Sequence, residues 1–284
     1  MKKERPEPAM SEAKARGLAC ILRELRPFRS QPESMARFEL AEREGSECMA
    51  TVYRALDRKS GDEVAIKIAA GTDNARTALR KEEKALRCII HPNVIALLDS
   101  GVFRDGPFEG APFLVLGHLA GESLHERIMR LGSLPWGESR AILDGVLSAL
   151  EAAHGAGFVH RDVKPENVML DGNAPTLIDF GVSERMGWRS FFTLSFVPGN
   201  GMFAAPEMFG AGVDGRTDLY AAGMLASYML TGMPPNPGDK VQRIRLPSRI
   251  GTIIAKATEN EPGKRYQSAV EMRAALAAVQ SLES

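Results

Sequence analysis

The sequence has no excess charge of either sign, few cysteines and no long hydrophobic run. Lysine plus arginine number 36 and aspartate plus glutamate 36, so the formal charge is zero. No electrostatic argument then favours nucleic acid or an anionic membrane surface as a partner. The three cysteines, Cys20, Cys48 and Cys88, lie far apart and form no CxxC pair. That pattern suggests neither a disulfide framework nor a zinc site, and it fits a reducing cytoplasm. The N-terminal MKKERPEPAM is followed by no apolar stretch of the signal-peptide kind. The longest apolar run, Leu219 to Leu230, is shorter than the about 20 residues that span a bilayer. The chain is therefore expected to be neither secreted nor membrane-spanning. Internal repeats and low-complexity tracts are also missing.

With 284 residues, 44% hydrophobic and 25% charged, the chain is an ordinary globular sequence with room for about two compact units. Residues 1 to 37 stand apart. Pro6, Pro8, Pro27 and Pro32 bracket SEAKARGLACILREL, in which Leu18, Ile21, Leu22 and Leu25 mark one face of a helix. This amphipathic helix either packs on the main body or docks a partner. From Phe38 to Ile68 the chain turns to short runs rich in Val, Tyr and Ile, with turn signals at Gly45 and at 59–62. A helical stretch from Ala78 to Arg87 and strand-like runs at Val94–Leu98 and Phe113–Leu116 complete a small strand-rich lobe over 38–118. Beyond Gly121 the period becomes helical, with Ile142, Leu143, Val146, Leu147 and Leu150 on one face. Residues 119–284 form a second, mostly helical lobe, and Gly117 to Gly121 form the hinge.

Four motifs stand in a fixed order. They are Val64-Ala65-Ile66-Lys67, His160-Arg161-Asp162-Val163-Lys164-Pro165-Glu166-Asn167, Asp179-Phe180-Gly181 and Ala205-Pro206-Glu207. In these the chain resembles the protein kinase family, over roughly residues 38 to 280. MATVYRA, HRDVKPENVML and KRYQSAVEM make it most similar to bacterial eukaryotic-like serine/threonine protein kinases. The resemblance implies an α+β, two-lobed fold and transfer of the γ-phosphoryl group of ATP, with Mg2+, to Ser or Thr of protein substrates.

Phosphoryl transfer asks little covalent chemistry of a protein. It asks that the triphosphate be held, its charge neutralised and the hydroxyl set in line. By the resemblance, Lys67 holds the α- and β-phosphates. The family spacing, counted back from His91, assigns Glu82 to orient it, with Glu83 facing elsewhere. Asn167 and Asp179 are the metal ligands, since magnesium takes hard oxygen donors. Asp162 takes or orients the hydroxyl proton, and Lys164 neutralises the transferring group and points to Ser or Thr acceptors. Gly45 belongs to the phosphate-covering loop. The adenine lies between Val52 and Ala65 above and Met169 below, with Leu116 as gatekeeper and the backbone from Gly117 to Leu119 along its edge. Glu207 pairs with Arg265, and Asp218 braces the catalytic loop. Arg161 receives a phosphate from the following segment, with autophosphorylation at Thr193 or Ser195.

The glycine-rich loop departs from the family pattern. Glu47 replaces a glycine and Glu44 an apolar residue, which sets two acids near a polyanion's site or else out in solvent. Asn200 stands at the usual threonine position before Ala205. Two rival readings follow: a pseudokinase scaffold with weak nucleotide binding, and a small-molecule kinase of related fold.

Overall fold

The computed structural model describes residues 32–46, 50–69, 71–186, 200–209, 212–235 and 248–280. The amphipathic segment 11–25, Glu47, Thr193 and Ser195 lie outside them, and of Glu44 and Gly45 only the backbone path is described.

β-Branched and aromatic residues suit a pleated, half-buried surface, and they build the first lobe. Strands β2 (Phe38–Ser46), β3 (Ala50–Asp57) and β4 (Glu63–Ala69) form an antiparallel meander. With β1 (Pro32–Glu33), β5 (Leu97–Phe103) and β6 (Pro112–Gly117) they make one sheet ordered β1-β5-β6-β4-β3-β2. Phe103 and Phe113 stack at 4.3 Å, with Phe38 edge-on to both. Ile66 and Val115 fill the space around them.

The sequence places the start of this lobe at residue 38, whereas the sheet takes in Pro32–Glu33, paired parallel to β5. Arg37 supplies the reason. Its guanidinium forks onto Asp57 at 2.9 and 2.6 Å and also reaches Asp99 at 2.7 Å and Glu33 at 3.1 Å. Helix α1 (Asp73–Cys88) likewise begins earlier than Ala78, because the Thr72 hydroxyl caps it, accepting from Ala75 N at 3.2 Å. The strand expected over Val94–Leu98 is split. Val94 forms an isolated bridge to Leu177 of the second lobe, with Ile95 N donating to Leu177 O at 3.0 Å, and β5 starts only at Leu97. Cys88 is disulfide-bonded, which corrects the expectation of no disulfide.

The second lobe carries β7 (Glu122–Ser123), α2 (Leu124–Leu131), α3 (Trp136–Gly155), β8 (Phe158–Val159), β9 (Val168–Asp171), β10 (Ala174–Leu177) and β11 (Glu184–Arg185). Helices α4 (Gly215–Thr231), α5 (Ser248–Ala257) and α6 (Ala269–Gln280) follow. All five periodic residues of α3 are buried, and Leu219 to Met229 of α4 is buried throughout. Between the lobes, Gly117 N donates to Ala96 O at 3.0 Å. A Cβ on Gly121 would lie 1.6 Å from Leu170 O, so the chain passes this point only as glycine. Among the described residues no helix is long and apolar enough to cross a membrane.

Candidate active site

Strand β4 is buried over six of its seven residues, yet it carries a lysine. Lys67 escapes the cost of an isolated buried charge by pairing. Its Nζ lies 2.9 Å from Glu82 Oε2 and 3.0 Å from Asp179 Oδ1, with only 7% of the side chain exposed. One residue on, a helix turns by about 100°, and Glu83 faces Arg87 at 2.6 Å and the Ser100 hydroxyl at 2.6 Å. The structure thus brings Glu82, and not Glu83, to the lysine.

The loop between β8 and β9 holds the second half of the site. Arg161 has φ 73° and Asp179 φ 59°, a left-handed backbone that costs a non-glycine residue on the order of 1 kcal/mol or more. Neighbours hold both in place. Asp218, fully buried near the start of α4, accepts from His160 N at 2.9 Å, Arg161 N at 2.8 Å and the His154 ring at 2.8 Å. His160 Nε2 meets Ile178 O at 3.1 Å, and its ring packs edge-on against Phe180. Asp162, half-buried, accepts from Lys164 Nζ at 2.7 Å and Asn167 Nδ2 at 2.9 Å through one oxygen. A second bond from Asn167 Nδ2 to Asp162 O at 2.8 Å closes the loop on itself.

Charge follows this geometry. Burial by itself raises the Asp179 carboxyl, but the Lys67 ammonium and the Gly181 N–H outweigh it and hold the group below the usual carboxylate range. Burial likewise lowers Lys164, and the Asp162 carboxylate more than restores it, so the ammonium stays charged beyond its ordinary range. At neutral pH the site therefore presents a charged Lys164 ammonium and a charged Asp179 carboxylate.

Asp179 and Asn167 offer the oxygen donors that suit Mg2+. Among the described residues no cluster of three His, Cys, Asp or Glu holds a metal by itself. A magnesium ion here would be shared with water and substrate phosphates, which is its common mode of binding. Ala65 pairs with Leu116 across β4 and β6, and Val52 and Leu119 are partly buried against the same hydrophobic core. Met169, half-buried, lies on β9 opposite Thr176. Gly45 is in β2, opposite Val52, where the register of the β2–β3 pair shifts.

The residues assigned to the fold are also brought together. Arg265 Nη1 and Nη2 donate to the two Glu207 oxygens at 2.7 and 2.8 Å. The guanidinium of Arg161, the residue assigned to receive a phosphate, is salt-bridged to Glu184 of β11. Sequence reasoning missed Glu184. Its one signal is a carboxylate three residues past Gly181, and nothing in the sequence says which way a two-residue strand will point it.

Residues 38–276 match the protein kinase domain. The chain belongs to the protein kinase family. It is 33% identical over 252 residues to the serine/threonine-protein kinase PknL of Mycobacterium tuberculosis, covering 81% of this chain and 62% of the relative. A probable serine/threonine-protein kinase PknB of Bifidobacterium longum is 32% identical, over 86% of this chain and 40% of that protein. PknB of Mycobacterium leprae is 31% identical, over 88% and 44%. The kinase thus resembles bacterial, eukaryotic-like serine/threonine kinases, and it spans 62% of the length of the first of these relatives and less than half of the other two.

Proposed function

We propose that this kinase transfers the γ-phosphoryl group of ATP to serine or threonine hydroxyls of protein substrates in the cytoplasm. The supporting observation is the placement of Lys67, Glu82 and Asp179 in one ion-paired cluster, with Asp162, Lys164 and Asn167 in another. Together these supply what in-line transfer needs. Glu82 sets Lys67 where its ammonium meets the α- and β-phosphates. Mg2+, when bound, neutralises charge on the phosphates. Asp179 and Asn167 are the residues that would hold it. Asp162 accepts the proton of the attacking hydroxyl as the oxygen–phosphorus bond forms and the bond to ADP breaks. Lys164 compensates charge on the equatorial oxygens, and its bond to Asp162 ties the two roles together.

Autophosphorylation at Thr193 or Ser195 belongs to the same reading. A phosphate carries about −1.5 to −2 charge, more than the single negative charge of Glu184, and would take Arg161 from it. Nothing among the described residues favours a scaffold that binds nucleotide weakly. Radiolabelled ATP with protein acceptors, beside small alcohols and aminoglycosides, tests the reading. Label should enter serine and threonine of protein alone, and Asp162→Asn should abolish it. Mass spectrometry of the active protein locates any phosphate in the segment after Gly181.

A further inference from the structure

Side chains of a strand alternate between the two faces of its sheet, and β4 divides its residues accordingly. Val64, Ile66 and Ile68 enter the aromatic core of the first lobe, whereas Ala65 and Ala69 join the apolar cluster that runs on into the second. Lys67 shares the face of Ala65 and reaches Asp179, so this face roofs the cleft. Glu63, at the start of β4, lies on it too. Cross-strand partners share a face as well. Val52 stands opposite Lys67, and Ala65 is flanked by Arg54 on β3 and Leu116 on β6. The roof over the cleft therefore continues outward, past Ala65, into Arg54 and Glu63.

The hinge meets that rim. Val64 pairs with Gly117 at the end of β6, and the next residue sets its ring against β4, with His118 Nδ1 3.3 Å from Glu63 Oε2. The other oxygen, Glu63 Oε1, accepts from Arg54 Nε at 2.6 Å. One carboxylate thus joins β3, β4 and the hinge. On its other side the hinge is tied by Gly117 N, which donates to Ala96 O at 3.0 Å. Every residue from Gly117 to Gly121 is half-buried or exposed, so apolar packing alone fixes this stretch weakly.

We infer that Glu63 and His118 are positioning residues for the adenine of ATP: their contact fixes the hinge edge against the roof formed by Val52 and Ala65. The inference rests on the ATP reading above. Neither side chain is asked to touch the nucleotide. Together they hold the adenine slot at its working width before ATP arrives, which removes an ordering cost from binding. Such help reaches the base equally in the ground state and the transition state, so it appears in affinity and not in turnover. The His118 side chain is 12% exposed but that of Glu63 46%, and pairs so open to water contribute modestly. The effect expected from breaking the contact is therefore about two- to fivefold in Kd.

Titration calorimetry of the full chain with magnesium ATP and with adenosine, beside steady-state kinetics, tests this. Glu63→Ala and His118→Ala should each raise Kd for both ligands by about two- to fivefold while kcat stays within about twofold. The double variant should bind no more weakly than either single one, because both remove the same contact. Glu39→Ala breaks a comparably exposed pair, with Arg58 on the same sheet but away from the hinge, and should leave adenosine binding unchanged. Losses that add in the double variant, a loss for ATP without one for adenosine, or a parallel fall in kcat overturns the positioning role. Wild-type protein that binds both ligands while the variants match it overturns that role alone. Wild-type protein that binds neither overturns the ATP reading and the inference with it.

Discussion

Lys67 and Arg265 are both buried cations paired with a glutamate, and the two surroundings differ in how firmly the cation is fixed. Arg265 is a planar fork with five N–H groups. It spends them on Glu207 Oε1 and Oε2, Glu259 O, Arg216 O and Asn260 O, at 2.7 to 3.1 Å. Its guanidinium also lies 4.9 Å from the Tyr220 ring. Nothing there has freedom to move, and nothing there reaches the cleft. Lys67 is a point charge on a flexible stem, shared between the carboxylates of Glu82 and Asp179. Such a charge can follow a triphosphate. The same residue chemistry thus gives a lock in one place and an adjustable clamp in the other.

Removing the clamp should leave the lock untouched. Asp162→Asn, Lys67→Met and Asp179→Asn should each lower kcat by about 100-fold to 10,000-fold, because each loses an interaction concentrated in the transition state. Melting temperature should change little. Steady-state kinetics beside thermal denaturation read both quantities. A variant that keeps wild-type turnover, or one that unfolds, breaks the contrast.

Removing the lock should do the reverse. Arg265→Ala strands Glu207 in a buried site, and breaking such a pair costs about 3–5 kcal/mol, a melting-temperature drop on the order of 10 °C in a domain of this size. At temperatures where it stays folded, its kcat should fall little. pH offers a second reading. Burial raises Glu207, but Arg265 and Thr217 bring it below the ordinary carboxylate value. A depressed carboxylate stabilises the fold above its unfolded-state pKa of about 4.3, and that contribution is lost as pH falls through the lower folded value. The acid limb of the stability curve should therefore be shallower in Glu207→Gln than in the wild type.

The motifs around Lys67, Asp162 and Asp179 were legible through their resemblance to the protein kinase family, whose residue types and order they keep. So was the face of α3, where 3.6-residue spacing and burial coincide. Arg37 was not legible. Its three acids, Glu33, Asp57 and Asp99, lie on separate strands, and only the pairing of β1 with β5 and of β2 with β3 brings them together. The early start of α1 carried a signal in Thr72-Asp73, a capping residue followed by an acid in the first turn, which apolar spacing alone overlooks. Glu184 had only its place three residues past Gly181, since strand direction decides whether a carboxylate meets Arg161 or solvent.

Arg161 stands between the lock and the clamp, being buried and paired but attached to the catalytic loop. If Glu184 already neutralises it, phosphatase-treated wild-type protein should keep its kcat within about threefold, and phosphatase-treated Glu184→Gln should lose about tenfold, or about 1.4 kcal/mol. Equal loss in both would make Arg161 dependent on phosphate alone.

The smallest effect belongs to Glu47, which stands where the family pattern has a glycine in its phosphate-covering loop. Two like charges about 4 Å apart repel by about 1 kcal/mol in water, and by more where water is partly excluded. If the Glu47 carboxylate faces the triphosphate, Glu47→Gly should lower KM for ATP by about three- to tenfold with little change in kcat, since ground state and transition state are relieved alike. Glu44→Leu should act through the adenine and improve ATP and adenosine equally, whereas the Glu47 change should favour ATP over adenosine. An unchanged KM in both variants would place the side chains in solvent and leave phosphate contact to the loop's backbone N–H groups. Lys67 would then be a clamp unopposed by either acid.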